Sequence, residues 1–195
     1  MKRQRYRLDV GARIDRGKTL RFSFNGKSYE GFDGDTLASA LLANGVRLVG
    51  RSFKYHRPRG IFSAGMEEPN ALVQLGSGAA SEANLRATQV ELFDGLEAAS
   101  VNCWPSVDFD IWAINDRFSS MLPAGFYYKT FMWPKKFWHQ YEKVIRRGAG
   151  LGTAPELPDQ NIYDKRNQHC EVLVVGGGPA GISAALEAGR AGARV

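Results

Sequence analysis

The chain has 195 residues, a formal net charge of +6 at pH 7 and only two cysteines. Hydrophobic residues make up 44% of it and charged residues 24%, which is typical of a globular protein and excludes a disordered one. No apolar run approaches the ~20 residues of a membrane span. Two cysteines are too few for a disulfide framework, so the sequence predicts a cytoplasmic protein without membrane contact.

Positive charge is concentrated at the start of the chain. Residues 1–60 hold 14 lysines and arginines against 5 acidic residues, whereas residues 61–195 hold 12 against 15. A basic block of this kind can bind nucleic acid, anionic ligands or an acidic protein surface, but a solvated face with a partner contact is the favoured interpretation. No nucleic-acid motif accompanies the charge, so we predict no nucleic-acid partner. Residues 1–18 lack periodicity and are interpreted as a basic N-terminal arm.

Residues 19–102 show the pattern of a small mixed sheet crossed by one helix. Asn25-Gly26 is a strong hairpin signal, and Asp35 or Thr36 suits the N-cap of the helix. This order favours a β-grasp domain. The predicted strands are Thr19–Phe24, Lys27–Phe32, Val46–Val49, Ala71–Leu75 and Ala87–Phe93, and the predicted helix is Thr36–Asn44.

The phrase GDTLASALLANGV…SFKYHRPRGIF resembles the ferredoxin-like N-terminal domain of the α subunit of heterotetrameric sarcosine oxidase. Related cluster-bearing domains occur in hydrogen cyanide synthase and opine oxidase subunits. In those relatives Arg-Gly-Ile-Phe leads into a Cys-x4-Cys-x2-Cys spacing that binds a [2Fe–2S] cluster. The same frame here gives Ser63, Glu68 and Ala71, with the fourth position near Thr88. Because none is cysteine, the resemblance predicts a cluster-free β-grasp domain with no iron–sulfur cluster.

Residues 103–168 are predicted to form an aromatic connector and a linker. Pro134 suits the first turn of a helix that ends near Arg147-Gly148, with a basic last turn that matches its dipole. Basic residues among aromatics also occur on single-strand nucleic-acid surfaces, a less favoured interpretation. The phrases WPSVDFDIWAINDRFSSMLPAGFYYKTF and YEKVIRRGAGLG…YDKRNQHCEVLVVGGGPAG again resemble the sarcosine oxidase α subunit.

Residues 169–195 carry the start of a dinucleotide-binding domain. Four apolar residues, Val172–Val175, predict a buried parallel strand, and a helix is predicted from Ile182 to Ala191. Between them lies G-x-G-x-x-G, a loop that receives a pyrophosphate at the N-terminus of a helix. Its residues are Gly176, Gly177, Gly178, Pro179, Ala180 and Gly181.

The predicted fold class is therefore α+β followed by α/β, a β-grasp domain and then the first β-α unit of a Rossmann-like domain. The glycine motif does not by itself choose between NAD and FAD, because the deciding acidic residue comes about 20 residues later. The free energy gained by burying the four apolar residues is smaller than the conformational-entropy cost of ordering this segment. We expect it to fold only against material after Val195 or against another chain.

No catalytic or metal-binding arrangement is evident in the sequence. His56, His139 and His169 are far apart and lack metal-ligand spacing, so structural or surface roles are expected. The carboxyl pairs Glu67/Glu68 and Asp108/Asp110 are interpreted as solvated turns. The predicted site list therefore contains no catalytic residue and no metal ligand.

The resemblance implies the chemistry of the parent complex. Such an oxidase demethylates sarcosine to glycine, forms peroxide and passes the one-carbon unit to tetrahydrofolate. Its α subunit holds NAD, its FAD and FMN belong mainly to the β subunit and the α–β interface, and its partners are the β, γ and δ subunits. This segment would supply assembly surface and the pyrophosphate loop. Two alternatives stay open: the α-type subunit of a related amine or opine oxidase or dehydrogenase, and an assembly module without bound nucleotide.

Overall fold

The computed structural model describes residues 4, 6–11, 13–121, 125, 133–149, 152 and 154–195. These residues form two units, Met1–Asp159 and Gln160–Val195, which are described separately. The predicted domain boundaries at 18, 102 and 168 remain predictions.

The first unit begins with the predicted hairpin. β1 (Asp15–Phe24) pairs with β2 (Lys27–Asp33) in antiparallel fashion. Asn25 and Gly26 have φ angles of 52° and 73°. Positive φ at both turn positions gives the twist that joins two antiparallel strands, so the Asn-Gly prediction is confirmed. β1 starts four residues earlier than predicted, inside the segment interpreted as an arm.

Helix α1 (Leu37–Ala43) follows and supplies one side of the core. Thr36 is its N-cap, and the side chains and backbone N–H groups of Thr36 and Ser39 form a reciprocal capping box. The helix packs close to β2 at Gly31, where an added Cβ would lie 2.3 Å from Leu92 Cδ2. Only glycine fits this contact without movement of its neighbours. The buried helix residues are Leu37, Ala38, Ala40, Leu41 and Ala43.

The main sheet has five strands in the order β2-β1-β7-β5-β6. β1 and β7 are parallel, with Phe22 opposite Leu96, and the other neighbours are antiparallel. A two-stranded hairpin, β3 with β4, stands apart from this sheet. The remaining strand bounds are β3 (Gly50–Arg51), β4 (Pro58–Arg59), β5 (Leu72–Leu75), β6 (Glu82–Arg86) and β7 (Leu96–Ser100).

Two predicted strands do not form. Residues 46–49 leave α1 as an irregular segment whose first amide, that of Val46, donates to Leu41 O. In residues 87–93, Val90 O accepts from Leu37 N and Leu92 N donates to Asp35 O. These groups therefore bind the start of α1 instead of a strand. The apolar pattern of both segments reflects burial, and the actual strand β7 lies a few residues further on.

The chain after β7 folds back over the β3–β4 hairpin. A 3-10 turn at Ile111–Ala113 leads into α2 (Ile114–Arg117). A further 3-10 turn lies at Ser119–Met121, and another, Lys135–Phe137, follows Pro134 and continues as α3 (Trp138–Ala149). The helix predicted after Pro134 is therefore confirmed. The predicted aromatic stretch at 126–132 lies outside the described residues.

The second unit contains α4 (Pro179–Arg190), which starts three residues before the predicted helix. The predicted strand Val172–Val175 is not formed in the described part of this unit. Leu173 and Val175 are 76% and 90% exposed, and the amides of Glu171 and Val172 donate to Arg194 O instead. An isolated apolar run has no neighbouring strand to supply ladder hydrogen bonds, so this difference follows from backbone hydrogen bonding.

Candidate functional site

The predicted site residues occupy the turn into α4. Gly176 and Gly177 lie just before the helix, Gly178 is the N-cap, and Pro179, Ala180 and Gly181 form the first turn. Pro179 sits at the first helical position, where a missing N–H is tolerated because that group has no partner within the helix. The structure thus brings all six residues together around one helix N-terminus.

Two glycines in this turn have a conformational reason to be glycine. Gly176 has φ 118°, a region that side chains rarely adopt. At Gly181, an added Cβ would lie 1.9 Å from Gly176 O, so the helix and the preceding backbone approach too closely for any other residue. This close approach is the geometry that the glycine motif predicts, although the strand before it is not formed.

Sequence reasoning missed one buried carboxylate of the first unit, that of Glu68. Glu68 has 0% exposure, and its carboxylate accepts four backbone hydrogen bonds. Oε2 accepts from Phe62 N at 2.7 Å and from Ser63 N at 2.6 Å. Oε1 accepts from Asn70 N at 2.7 Å and from Ala71 N at 3.1 Å. The prediction of a solvated carboxyl at Glu68 is therefore wrong.

Burial and hydrogen bonding act on this carboxyl in opposite directions. Burial raises the pKa of Glu68, but the four backbone hydrogen bonds lower it by more, so its pKa lies below the ordinary value of 4.5. The group is a carboxylate at neutral pH and closes the loop of residues 62–71 around itself. The sequence did contain one signal for the importance of Glu68, because this residue occupies the second position of the cysteine frame.

A second buried carboxylate joins the hairpin β3–β4 to the segment after β7. Asp110 Oδ2 lies 2.6 Å from His56 Nδ1, and both side chains are almost fully buried. Asp110 Oδ1 also accepts from Trp104 N and Trp112 N, each at 3.1 Å. Asp110 is thus not a solvated turn residue, and His56 has a structural partner. No local sequence pattern links residues 54 positions apart, which is why this pair was not predicted.

Comparison with protein families gives a match for the first unit. Residues 17–103 match the family described as "2Fe-2S iron-sulfur cluster binding domain". Together with the mixed sheet and its single crossing helix, this match confirms the ferredoxin-like fold of the β-grasp domain. It also contradicts the prediction of no iron–sulfur cluster, which is corrected accordingly. That prediction rested on the absence of cysteines alone, whereas the whole domain carries the pattern of a cluster-binding family.

The donor set of this chain does not fit a cluster held by four thiolates. Such a cluster needs cysteine ligands, and the frame positions hold Ser63, Glu68, Ala71 and Thr88. The Glu68 carboxylate is engaged by backbone amides, and Thr88 Oγ1 donates to Gly65 O at 2.8 Å. No step proposed below therefore involves a cluster.

Comparison with known proteins gives matches along nearly the whole chain. Sarcosine oxidase subunit alpha of Rhizobium meliloti (strain 1021) is 60% identical over 97% of this chain. The predicted resemblance to sarcosine oxidase alpha subunits is confirmed. The subunits of Corynebacterium sp. strains U-96 and P-1 are 38% and 39% identical over 95% and 97% of the chain.

The chain spans about a fifth or less of these relatives, namely 19% of the R. meliloti subunit and 15% and 16% of the two others. The matches therefore support a fragment of such a subunit, and the name 'subunit alpha' implies that those relatives assemble with other subunits. One solved structure, L-proline dehydrogenase from P. horikoshii, shows a TM-score of 0.35 and 28% identity over 44% of this chain and 16% of its own.

Two features are not found among the described residues. Among them, no helix is both long and apolar enough to cross a bilayer. The same residues contain no group of three or more histidine, cysteine, aspartate or glutamate side chains arranged to hold a metal ion.

Proposed function

We propose that this chain is the N-terminal part of the α subunit of a flavin-dependent oxidase complex acting on sarcosine. The observation that carries the proposal is the 60% identity with sarcosine oxidase subunit alpha along 97% of the chain. The complex would demethylate sarcosine to glycine with peroxide formation and transfer the one-carbon unit to tetrahydrofolate. No described residue of this chain is assigned a catalytic role in that reaction.

Partners and location follow from the same relationship. The β, γ and δ subunits would complete the complex, and tetrahydrofolate would bind a later part of the α subunit. The flavins, when bound, would supply the acceptor for the hydride removed from the N-methyl amine. We place the complex in the cytoplasm, in keeping with a chain of two cysteines.

The activity is tested with the reconstituted complex. We expect peroxide formation and one-carbon transfer with sarcosine, and much slower turnover with N-methylglutamate, proline and octopine. A preference for any of the last three would replace sarcosine by another N-alkyl amino acid and favour a related amine or opine oxidase. Absence of turnover with all four substrates would contradict the oxidase assignment.

The loop Gly176–Gly181 is proposed to hold the pyrophosphate of NAD. Its support is the positive φ of Gly176, the close approach at Gly181 and the start of α4 at Pro179. Backbone N–H groups at a helix N-terminus favour a bound phosphate, since they are unpaired within the helix and carry partial positive charge. The loop would complete a Rossmann-like β-α unit when neighbouring strands cover Val172–Val175.

Nucleotide content tests this loop. We expect the full-length protein to release NAD on denaturation, and the substitution Gly181→Ala to abolish its retention, because the added methyl collides with Gly176 O. Gly189→Ala, in the same helix but outside the loop, is the matched control, since a Cβ there meets nothing within 4 Å. If the native protein releases neither NAD nor FAD, the segment is an assembly module instead.

A further inference from the structure

A cavity of about 910 Å³ lies within the first unit, which supplies all the residues that line it. Residues at the ends of β5 and β7 form one wall, and the C-terminal half of α3 forms another. The segment after α3 is anchored on β6, where Gly152 packs so closely that an added Cβ would lie 2.7 Å from Ala83 Cβ. The volume falls in the range of small-molecule sites, about 300–1,000 Å³.

Two tryptophans line this cavity, and both are positioned by one carboxylate. Asp110 Oδ1 accepts from the backbone amides of Trp104 and Trp112, while Oδ2 contacts the buried His56 ring. Trp104 is 59% exposed, so much of its indole is uncovered. Because Asp110 holds the Trp104 backbone in place, the indole offers a flat surface for a planar ring at low entropic cost.

The part of the cavity lining that α3 supplies is basic. Lys143, Arg146 and Arg147 of α3 line the cavity, and no carboxylate side chain is among the described residues that line it. Arg146 pairs with Glu142 at 2.7 Å. Lys143 and Arg147 are four residues apart and therefore share a helix face. A cavity lined by both basic and aromatic side chains suits a ligand that carries a planar ring and an anionic group.

A buried acceptor without a hydrogen-bond partner indicates a further group that the ligand carries. Asn102 lines the cavity, is 8% exposed and has φ 61°. Its side-chain amide donates to Arg51 O at 3.1 Å, and its Oδ1 has no hydrogen-bond partner in the described chain. A buried acceptor without a partner is costly, and a ligand N–H group would satisfy it.

We propose that this cavity binds a phosphorylated heterocycle with an exocyclic amino group. The ring would stack on Trp104, the phosphate would bind Lys143 and Arg147, and the amino group would donate to Asn102. Two cations, Lys143 and Arg147, match a phosphate group, which carries nearly two negative charges at neutral pH, better than a carboxylate, which carries one. The proposal is independent of the glycine loop and of the oxidase assignment.

The test uses adenosine monophosphate as the probe and the full-length protein with saturating NAD, so that a dinucleotide site cannot contribute. We expect quenching of tryptophan emission by the probe, weakened by added salt. Adenosine and inorganic phosphate should each bind at least about tenfold more weakly, because each lacks one of the two recognised groups.

Paired variants locate the site. The double substitution Lys143→Ala/Arg147→Ala should weaken binding by about tenfold or more, while Lys135→Ala/Lys136→Ala, which removes two nearby cations outside the cavity, should leave it unchanged. All four side chains are on the surface, so these substitutions should not unfold the protein, and weaker binding would report the lost contact. The proposal is overturned if the probe does not bind, if adenosine binds as well as the monophosphate, or if both double variants behave alike.

Discussion

Glu68 is expected to hold the loop of residues 62–71 in place, and the substitution Glu68→Gln tests this. Glutamine keeps one carbonyl oxygen, which can still accept two of the four backbone hydrogen bonds. Its NH₂ group then faces the other two N–H donors. Hydrogen bonds to a charged group contribute about 1.5–3 kcal/mol each, so loss of two should cost about 3 kcal/mol or more.

Amide hydrogen exchange of the full-length protein measures this loss where it occurs. A cost of about 3 kcal/mol corresponds to roughly 100-fold faster exchange for amides that open locally. The affected amides should be those of Phe62, Ser63, Asn70 and Ala71. Glu67→Gln is the matched control, because the Glu67 carboxyl is exposed and its bond from Gly65 N is longer, at 3.2 Å.

The same carboxylate predicts a pH dependence. Because the pKa of Glu68 is lower in the folded protein than in the unfolded chain, its contribution to stability is present above about pH 4.5. That contribution is lost as the pH falls through the folded pKa. The difference in stability between the native protein and Glu68→Gln should therefore shrink on acidification. Equal exchange rates at neutral pH in the two proteins would refute the reasoning.

Three further substitutions test the packing of the first unit. Gly31→Ala should lower the unfolding temperature through a loss of about 1–3 kcal/mol, since its methyl would collide with Leu92 Cδ2; an unchanged midpoint contradicts this. Arg7→Ala leaves the buried Asp35 carboxylate without its bidentate partner at 3.0 and 2.6 Å, and urea unfolding should show a loss of about 2 kcal/mol or more. Asp110→Asn should red-shift tryptophan emission as the two indoles loosen, whereas an unaltered spectrum would show that the carboxylate does not position them.

Local chemistry made part of the fold predictable. Asn25-Gly26 fixes a turn that few residues can adopt, and Thr36 with Ser39 marks the start of α1. The segments at 46–49 and 87–93 were misassigned because burial alone produces an apolar pattern. Their amides and carbonyls bind the two ends of α1, a partner that no strand-length window of sequence contains.

The glycine loop and its flanking elements were also predictable only in part. Its spacing predicted the helix that follows, because a helix start depends on residues a few positions apart. The strand Val172–Val175 depends instead on neighbours elsewhere in a sheet. A strand whose partners are absent has no ladder to join, whatever its composition. Amide exchange tests whether Val172–Val175 need neighbouring strands. These four residues should be protected in the intact protein but not in the isolated 195-residue chain.

Buried carboxylates were the main failure of prediction, and the reason is physical. A loop that turns sharply directs several N–H groups inward, and each needs an acceptor if it is buried. In residues 62–71 one carboxylate meets four such groups, and in the segment after β7 another meets two amides and a histidine. An acidic residue in a turn is therefore ambiguous by sequence: the same side chain is solvated where the amides point outward and essential where they converge. Substitutions at Glu67 and Glu68 differ only in this respect, so a large difference between these neighbours would show that amide convergence, not turn composition, decides the role of a carboxylate in this fold.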